Sequence, residues 1–168
     1  FQDYNLYGCS VRENITFKEN NDEKDVKKIK QLIRDIGLES RISRMPHGIE
    51  TCLTKEIDPE GEKLSGGEGQ KLAIVRALYK DSYYAVFDEP TAAIDPNAEY
   101  KMYLQFAKMT EGKSVVYISH RLASTRFCDN VLLLDKGRVA EFGNHDELMR
   151  AKGKYYEMFS VQIKLYTE

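Results

Sequence analysis

Short β-favouring runs that alternate with helical patterns constrain the fold of this chain most strongly. The run Tyr83–Phe87 predicts one strand, Ser114–Ser119 predicts a second, and a helix that starts at Asp95 is predicted between them. Two further strands are predicted at Val131–Leu134 and Arg138–Phe142. Strands that alternate with helices in this way favour a layered α/β core.

The first 82 residues carry helical patterns instead. In the segment 22–36, isoleucine and leucine recur at i, i+3, i+4 and i+7, which is the spacing of an amphipathic helix. Further helices are predicted at about 38–44 and 66–80, and two more at about 145–151 and 153–164 close the chain. We therefore expect a largely helical region ahead of the α/β part.

Composition excludes several classes of protein. The 168 residues include 25 Lys and Arg and 27 Asp and Glu, and 42% are hydrophobic, so a disordered chain is excluded. The net charge of −2 gives no argument for nucleic-acid binding. The apolar runs are far shorter than the roughly 20 residues of a membrane span. Cys9, Cys52 and Cys128 are widely spaced, which disfavours a zinc site or a disulfide framework and favours a reducing compartment.

A glycine-rich helix start lies at Leu64–Gln70. Ser65 followed by Glu68 fits a capping box. Gly66 and Gly67, just inside the helix, each cost about 1 kcal/mol relative to Ala, so a cap that served stability alone would not favour them. Backbone N–H groups at the positive end of a helix predict a phosphate-binding site. A plain capped helix is the alternative.

Two adjacent carboxylates, Asp88 and Glu89, follow the first predicted strand. Ligands of open α/β sheets bind beyond the carboxyl ends of the strands, and adjacent carboxylates favour a nearby cation or reacting group. We predict that Asp88 faces Mg²⁺ through water and that Glu89 is a general base toward an attacking water. Taken in isolation, the pair fits a solvated strand end equally well.

His120 follows the second predicted strand. A lone histidine is more often structural than catalytic. A parallel crossover, however, places the ends of both strands at the same edge of the sheet. This placement favours a functional role for His120 beside Asp88 and Glu89.

In this order, these elements resemble the ATP-binding domain of ABC transporters. Leu64–Glu68 is similar to the signature motif Leu-Ser-Gly-Gly-Gln, with Glu68 in place of glutamine. Phe87-Asp88-Glu89 resembles the end of the Walker B motif and the catalytic glutamate. Phe1-Gln2-Asp3 is similar to the Q-loop, Ala92–Asp95 to the D-loop, and Ser119-His120-Arg121 to the switch-histidine loop.

The resemblance implies a set of site residues and two cofactors, ATP and Mg²⁺. Catalytic roles are implied for Glu89, His120 and Gln2, and contact with Mg²⁺ for Asp88 and Gln2. Contacts with the nucleotide are implied for the signature and D-loop residues, namely Leu64, Ser65, Gly66, Gly67, Glu68 and Asp95. The carboxylate of Glu68 is expected to serve the cap and to weaken direct nucleotide contact by charge repulsion.

The implied fold is part of a P-loop NTPase (ABC ATPase) core sheet with an all-helical subdomain. We predict a Q-loop and helical signature subdomain at 1–82, the C-terminal part of the α/β catalytic core at 83–143, and C-terminal helices at 144–168. The loop Glu56–Gly61 matches the exporter pattern only loosely, at a place where the family contacts the coupling helices of the membrane domain.

A P-loop needs Gly-x-x-x-x-Gly-Lys-Ser/Thr between a strand and a helix, and this sequence does not contain one. Gly61 and Gly66 have the right spacing, but Gly67-Glu68 follows. Gly112-Lys113-Ser114 has the right ending, but Ala107 stands in place of the first glycine. We therefore expect a C-terminal fragment of a nucleotide-binding domain that starts at the Q-loop and is inactive alone.

The function implied for the parent protein is ATP hydrolysis that powers export, at the cytoplasmic face of the cell membrane. The implied partners are a second nucleotide-binding domain and a transmembrane domain, with no nucleic acid, and unpaired strand edges predict self-association of the fragment. The alternative is a soluble ABC-type ATPase of DNA repair or translation. The compact segment between Gln2 and Ser65, without sustained heptads, argues against the coiled-coil repair proteins.

Overall fold

A computed structural model of the chain describes residues 5–90 and 96–167. Gln2 and Asp95 lie outside the described residues. Seven helices and four strands are described, together with short 3₁₀ segments at Gly48–Glu50 and Leu122–Phe127: α1 Val11–Thr16, α2 Glu23–Asp35, α3 Glu39–Ile42, α4 Gly66–Tyr79, β1 Tyr84–Asp88, α5 Pro96–Met109, β2 Ser114–Ile118, β3 Val131–Asp135, β4 Arg138–Gly143, α6 His145–Ala151 and α7 Lys154–Thr167.

The chain divides into two compact units, Phe1–Ile118 and Ser119–Glu168. The first unit contains the helical region and the parallel strand pair, and the second contains the hairpin and the last two helices. In the described part of the chain, no helix combines the length and the apolar character needed to cross a membrane. The three-part division predicted from the sequence stays a prediction.

The helical part of the first unit is built around α4, against which α1 and α2 pack. The predicted amphipathic helix is confirmed as α2, with Ile29 and Ile33 buried. Asp22 caps its start by accepting a hydrogen bond from the Asp25 N–H at 2.7 Å. Gly37 follows its end at a φ of +74°, which is the left-handed conformation that glycine supplies after helices. The apolar spacing in the sequence therefore predicted this helix correctly.

Strands β1 and β2 pair in parallel, with Asp88 opposite Ile118 at their carboxyl ends, and α5 is the crossover between them. One face of the pair packs on α5, where Phe106 is fully buried and stacks on Phe87 with ring centroids 5.2 Å apart. Tyr117 joins this cluster from β2. The predicted parallel crossover is confirmed, and it aligns the ends of the two strands.

The opposite face of this strand pair is apolar and exposed. Tyr84 is 72% exposed, Val86 58%, Val116 55% and Ile118 50%. Their positions in the parallel register place them on one side, because alternate residues of a strand point to opposite faces. Among the described strands, β1 and β2 each have one hydrogen-bonded neighbour.

The second unit is an antiparallel hairpin packed against helices. Strands β3 and β4 join through Lys136-Gly137, both at positive φ, as a tight primed turn requires. The core beneath the hairpin consists of five buried side chains, Leu122, Leu133, Leu148, Tyr155 and Phe159. This unit confirms the two strands predicted at Val131–Leu134 and Arg138–Phe142.

Candidate functional site

The start of α4 is an exposed capping box. The Ser65 N–H donates to Glu68 Oε2 at 2.8 Å, and Ser65 Oγ accepts from the Glu68 N–H at 3.4 Å. Ser65 and Gly66 are exposed. A Cβ added at Gly67 would meet no atom within 4 Å, so close packing does not require a glycine there. The predicted cap is present, and this helix end is open at the surface.

Arg41 of α3 lies against this cap, a contact that sequence reasoning missed. Its Nη2 is 2.6 Å from Glu62 Oε2 and donates to the carbonyl of Lys63 at 3.2 Å, while its Nε is 3.5 Å from Glu68 Oε1. The hydrogen bond from the Ser65 backbone, and further the Arg41 charge, hold the pKa of Glu68 below its usual value. Glu68 is therefore a charged residue at neutral pH.

The end of β1 holds the two predicted carboxylates in an unusual backbone. Asp88 is the last residue of the strand, and Glu89 follows at a φ of +47°. A left-handed conformation is uncommon for residues other than glycine, although Phe17, Asp81, Lys136 and Lys152 also adopt it in the described part of this chain. The Glu89 N–H donates to the carbonyl of Ile118 at 2.9 Å, which fixes this turn to β2.

Gln70 links α4 to the same turn. Its Nε2 donates to the Glu89 carbonyl at 3.3 Å, across 19 residues of sequence. Gln70 and Asp88 also line a cleft of the first unit with a volume of about 940 Å³. The capped helix that starts at Gly66 and the strand that ends at Asp88 are therefore joined within one unit. Sequence reasoning gave Gln70 no role, because nothing local indicates its distant partner.

Asp88 can contribute to a magnesium site only as one ligand among several. Within residues 5–90 and 96–167, no group of three His, Cys, Asp or Glu side chains could hold a metal ion. Mg²⁺ in nucleotide enzymes is commonly held by one or two carboxylates together with substrate phosphates and waters. The donor set at the end of β1 fits that arrangement.

His120 lies in the second unit, two residues beyond the end of β2. Its backbone carbonyl accepts from Gln162 Nε2 at 2.7 Å, and Gln162 Oε1 accepts from the Leu122 N–H at 2.8 Å. Gln162 of α7 thus holds both sides of the loop that carries His120. The proximity of His120 to Asp88 and Glu89 stays a prediction.

Arg76 connects α4 to α1 and to the segment that precedes α1. Its guanidinium donates to the Asn14 carbonyl at 2.7 Å, to Asn14 Oδ1 at 3.2 Å and to the Asn5 carbonyl at 3.0 Å. The same group lies 5.5 Å from the ring centroid of Tyr7 and 5.0 Å from that of Phe17. Burial lowers the pKa of Arg76, although arginine stays charged in proteins. This contact holds the N-terminal part of the first unit on α4.

Comparison with known proteins relates these features to a family. The family model described as ABC transporter matches residues 1–92, just over half of the chain. The chain is 38% identical over 154 residues to the "Mycobactin import ATP-binding/permease protein IrtA" of Mycolicibacterium thermoresistibile, covering 92% of this chain and 16% of that protein. It is 33% identical over 163 residues to the "ATP-dependent lipid A-core flippase" of Cupriavidus pinatubonensis, covering 96% of this chain and 27% of that protein.

A solved structure, that of "a bacterial Atm1-family ABC exporter with ATP bound", matches with a TM-score of 0.77 at 31% sequence identity. The match covers 94% of this chain and 26% of that one. The chain thus spans roughly a sixth to a quarter of the length of these relatives. The fold predicted from the motifs is confirmed: the chain belongs to the ABC transporter family and has the fold of part of its ATP-binding domain.

Proposed function

We propose that this chain is part of the nucleotide-binding domain of an exporter-type ABC transporter, and that the whole transporter hydrolyses ATP to drive transport. The observation that carries the proposal is the turn at the end of β1, which presents Asp88 and Glu89 and is hydrogen-bonded to α4 through Gln70. Permease and flippase names among the relatives favour a transporter over a soluble ATPase of DNA repair or translation. Such a domain would act at the cytoplasmic face of the membrane.

The proposed site divides the chemistry among the chain's own residues. Glu89 would accept a proton from the attacking water, and His120 and Gln2 would contact the terminal phosphate region. Asp88 and Gln2 would hold a Mg²⁺ ion, which would supply charge neutralisation to the phosphates. The start of α4 and Asp95 contact a nucleotide held by a second domain. The residues proposed at the α4 start are Leu64, Ser65, Gly66, Gly67 and Glu68.

An exposed apolar patch supports a transmembrane partner. Tyr7, Phe17 and Ile57 are all large exposed hydrophobic residues of the first unit. The rings of Tyr7 and Phe17 meet edge to face at 5.6 Å, and Ile57 lies over Gly8, where an added Cβ would come within 2.5 Å of its Cδ1. We propose that this patch contacts the membrane domain, and Arg76 would carry the movement of the patch to α4.

The isolated 168-residue chain is expected to bind ATP weakly and not to hydrolyse it, because the sequence contains no P-loop lysine to hold the β- and γ-phosphates. The full-length transporter is expected to hydrolyse Mg-ATP. Titration calorimetry tests the first half of this expectation, the weak ATP binding of the isolated chain. Phosphate release tests the second half, ATP hydrolysis by the full-length protein. Micromolar ATP affinity in the isolated chain would contradict the first half. A full-length protein without ATPase activity would contradict the proposed function.

The isolated chain is also expected to self-associate through the exposed face of β1 and β2, because apolar strands with open edges pair with other chains. Val116→Lys places a charge in the middle of that face and is expected to reduce association, as measured by light scattering. Leu104→Lys is the matched control, since Leu104 is an exposed apolar residue of α5. A monodisperse wild-type monomer would refute the expectation.

A further inference from the structure

We propose that Arg41 is a positioning residue for the nucleotide-contacting turn, where it holds Glu62 and Glu68 together and offsets the negative charge that Glu68 brings to the start of α4. This inference rests on the function proposed above and deepens it. The contacts that carry it involve this chain's own departure from the signature motif, in which a carboxylate replaces an amide.

The first step is geometric. Arg41 contacts residues on both sides of Ser65: Glu62 and Lys63 before it, and Glu68 after it. Two different nitrogens of the guanidinium are used, Nη2 for Glu62 and Nε for Glu68. A lysine ammonium is a compact charge with freely rotating donors, whereas the planar arginine fork holds its nitrogens in fixed directions toward the two carboxylates. Arg41 therefore sets the path of the chain into α4.

The second step concerns charge. Glu68 Oε2 accepts the Ser65 N–H, so the carboxylate sits in the first turn of α4, at the helix end proposed to face phosphate. The negative charge of Glu68 would repel the phosphates of a nucleotide at this helix end, and the repulsion is strongest where solvent is partly excluded. The side chains of Arg41 and Glu68 are each only 29% exposed, so the screening of their interaction by water is incomplete. The Arg41 guanidinium beside Glu68 reduces the net negative charge that an approaching nucleotide would meet.

The third step separates positioning from stability. Ion pairs at partly exposed sites contribute little to folding. Loss of Arg41 should therefore leave the domain folded. Its effect should instead appear as weaker nucleotide binding, because a Glu68 carboxylate that is no longer held by Arg41 can turn toward the nucleotide phosphates, and the effect should therefore depend on the Glu68 charge.

The test is a double-mutant cycle in the full-length transporter, read as KM and kcat for Mg-ATP. Arg41→Gln is expected to raise KM by about tenfold with kcat within about twofold of wild type. Glu68→Gln is expected to lower KM, because glutamine keeps the capping box without the charge. In the Glu68→Gln background, Arg41→Gln should change KM by less than about twofold.

Three measurements complete the design. Arg44→Gln removes the same charge from an exposed position in the turn after α3 and should leave KM unchanged. Raising the salt concentration from about 0.05 M to about 0.5 M should shrink the KM difference between wild type and Arg41→Gln, since added ions screen charge. Thermal unfolding of each variant checks that the domain is folded. Should Arg41→Gln not fold, Arg41→Lys, which keeps the charge but not the planar fork, takes its place in the cycle and should raise KM only when Glu68 is present.

Several results would overturn the inference. An unchanged KM in Arg41→Gln, an equal rise in both backgrounds, or a KM that does not fall in Glu68→Gln would each do so. If the wild-type transporter hydrolyses ATP and these results appear, the inference fails while the proposed function survives. If the wild-type transporter shows no ATPase activity, both fail together.

Discussion

Glu89→Gln in the full-length transporter is expected to lower ATP turnover by about 10²- to 10⁴-fold while ATP binding is retained. Glutamine has nearly the same shape as glutamate but cannot accept a proton from the attacking water. The backbone at this position is held by the Ile118 carbonyl on one side and by Gln70 on the other. The substitution should therefore remove the base without moving the turn.

Phosphate release and equilibrium ATP binding, measured on the same preparation, separate the two effects. Glu111→Gln provides a matched control, because Glu111 is an exposed glutamate in the turn between α5 and β2. Turnover of Glu89→Gln at the wild-type rate would remove Glu89 from the role of general base. A parallel loss of binding would instead indicate that Glu89 serves mainly to hold the site together.

Local sequence patterns predicted the elements that local interactions decide. The apolar spacing in 22–36 predicted α2, and Ser65 followed by Glu68 predicted the capping box, because each pattern satisfies its backbone within a few residues. The two strand ends at Asp88 and Ile118 were predicted to align because a parallel crossover requires it. These predictions needed no knowledge of distant parts of the chain.

Contacts between distant residues could not be predicted in this way. Arg41 meets Glu62 across 21 residues, and Arg76 meets Asn14 across 62. In the sequence both arginines look like ordinary charged residues of helices, and only the packing of α1, α3 and α4 gives them partners. The left-handed backbone of Glu89 has no local signal either, since glycine is the residue that usually marks such a conformation.

Arg76→Met is expected to weaken the attachment of α1 to α4 by about 3 kcal/mol, roughly the contribution of one or two charge-assisted hydrogen bonds, because the contacts of a single side chain are not additive. Methionine fills similar space but donates nothing to Asn14 or Asn5. Asn14 is fully buried, so its oxygen would lose a partner that water cannot easily replace. Amide hydrogen exchange of α1 in the full-length transporter should accelerate by about 100-fold if α1 exchanges through this opening.

Arg34→Met is the matched control, because Arg34 pairs with Glu39 at 3.2 Å with both side chains more than half exposed. Exposed pairs of this kind contribute about 0–1 kcal/mol, so exchange of α1 should change little. Arg76→Lys keeps the charge but loses the fork that reaches Asn14 and Asn5 together, and it should fall between wild type and Arg76→Met. Unchanged exchange in Arg76→Met would show that apolar packing of Val11 and Ile15 alone holds α1 on α4. It would also remove Arg76 from the proposed path between the Tyr7, Phe17 and Ile57 patch and the start of α4.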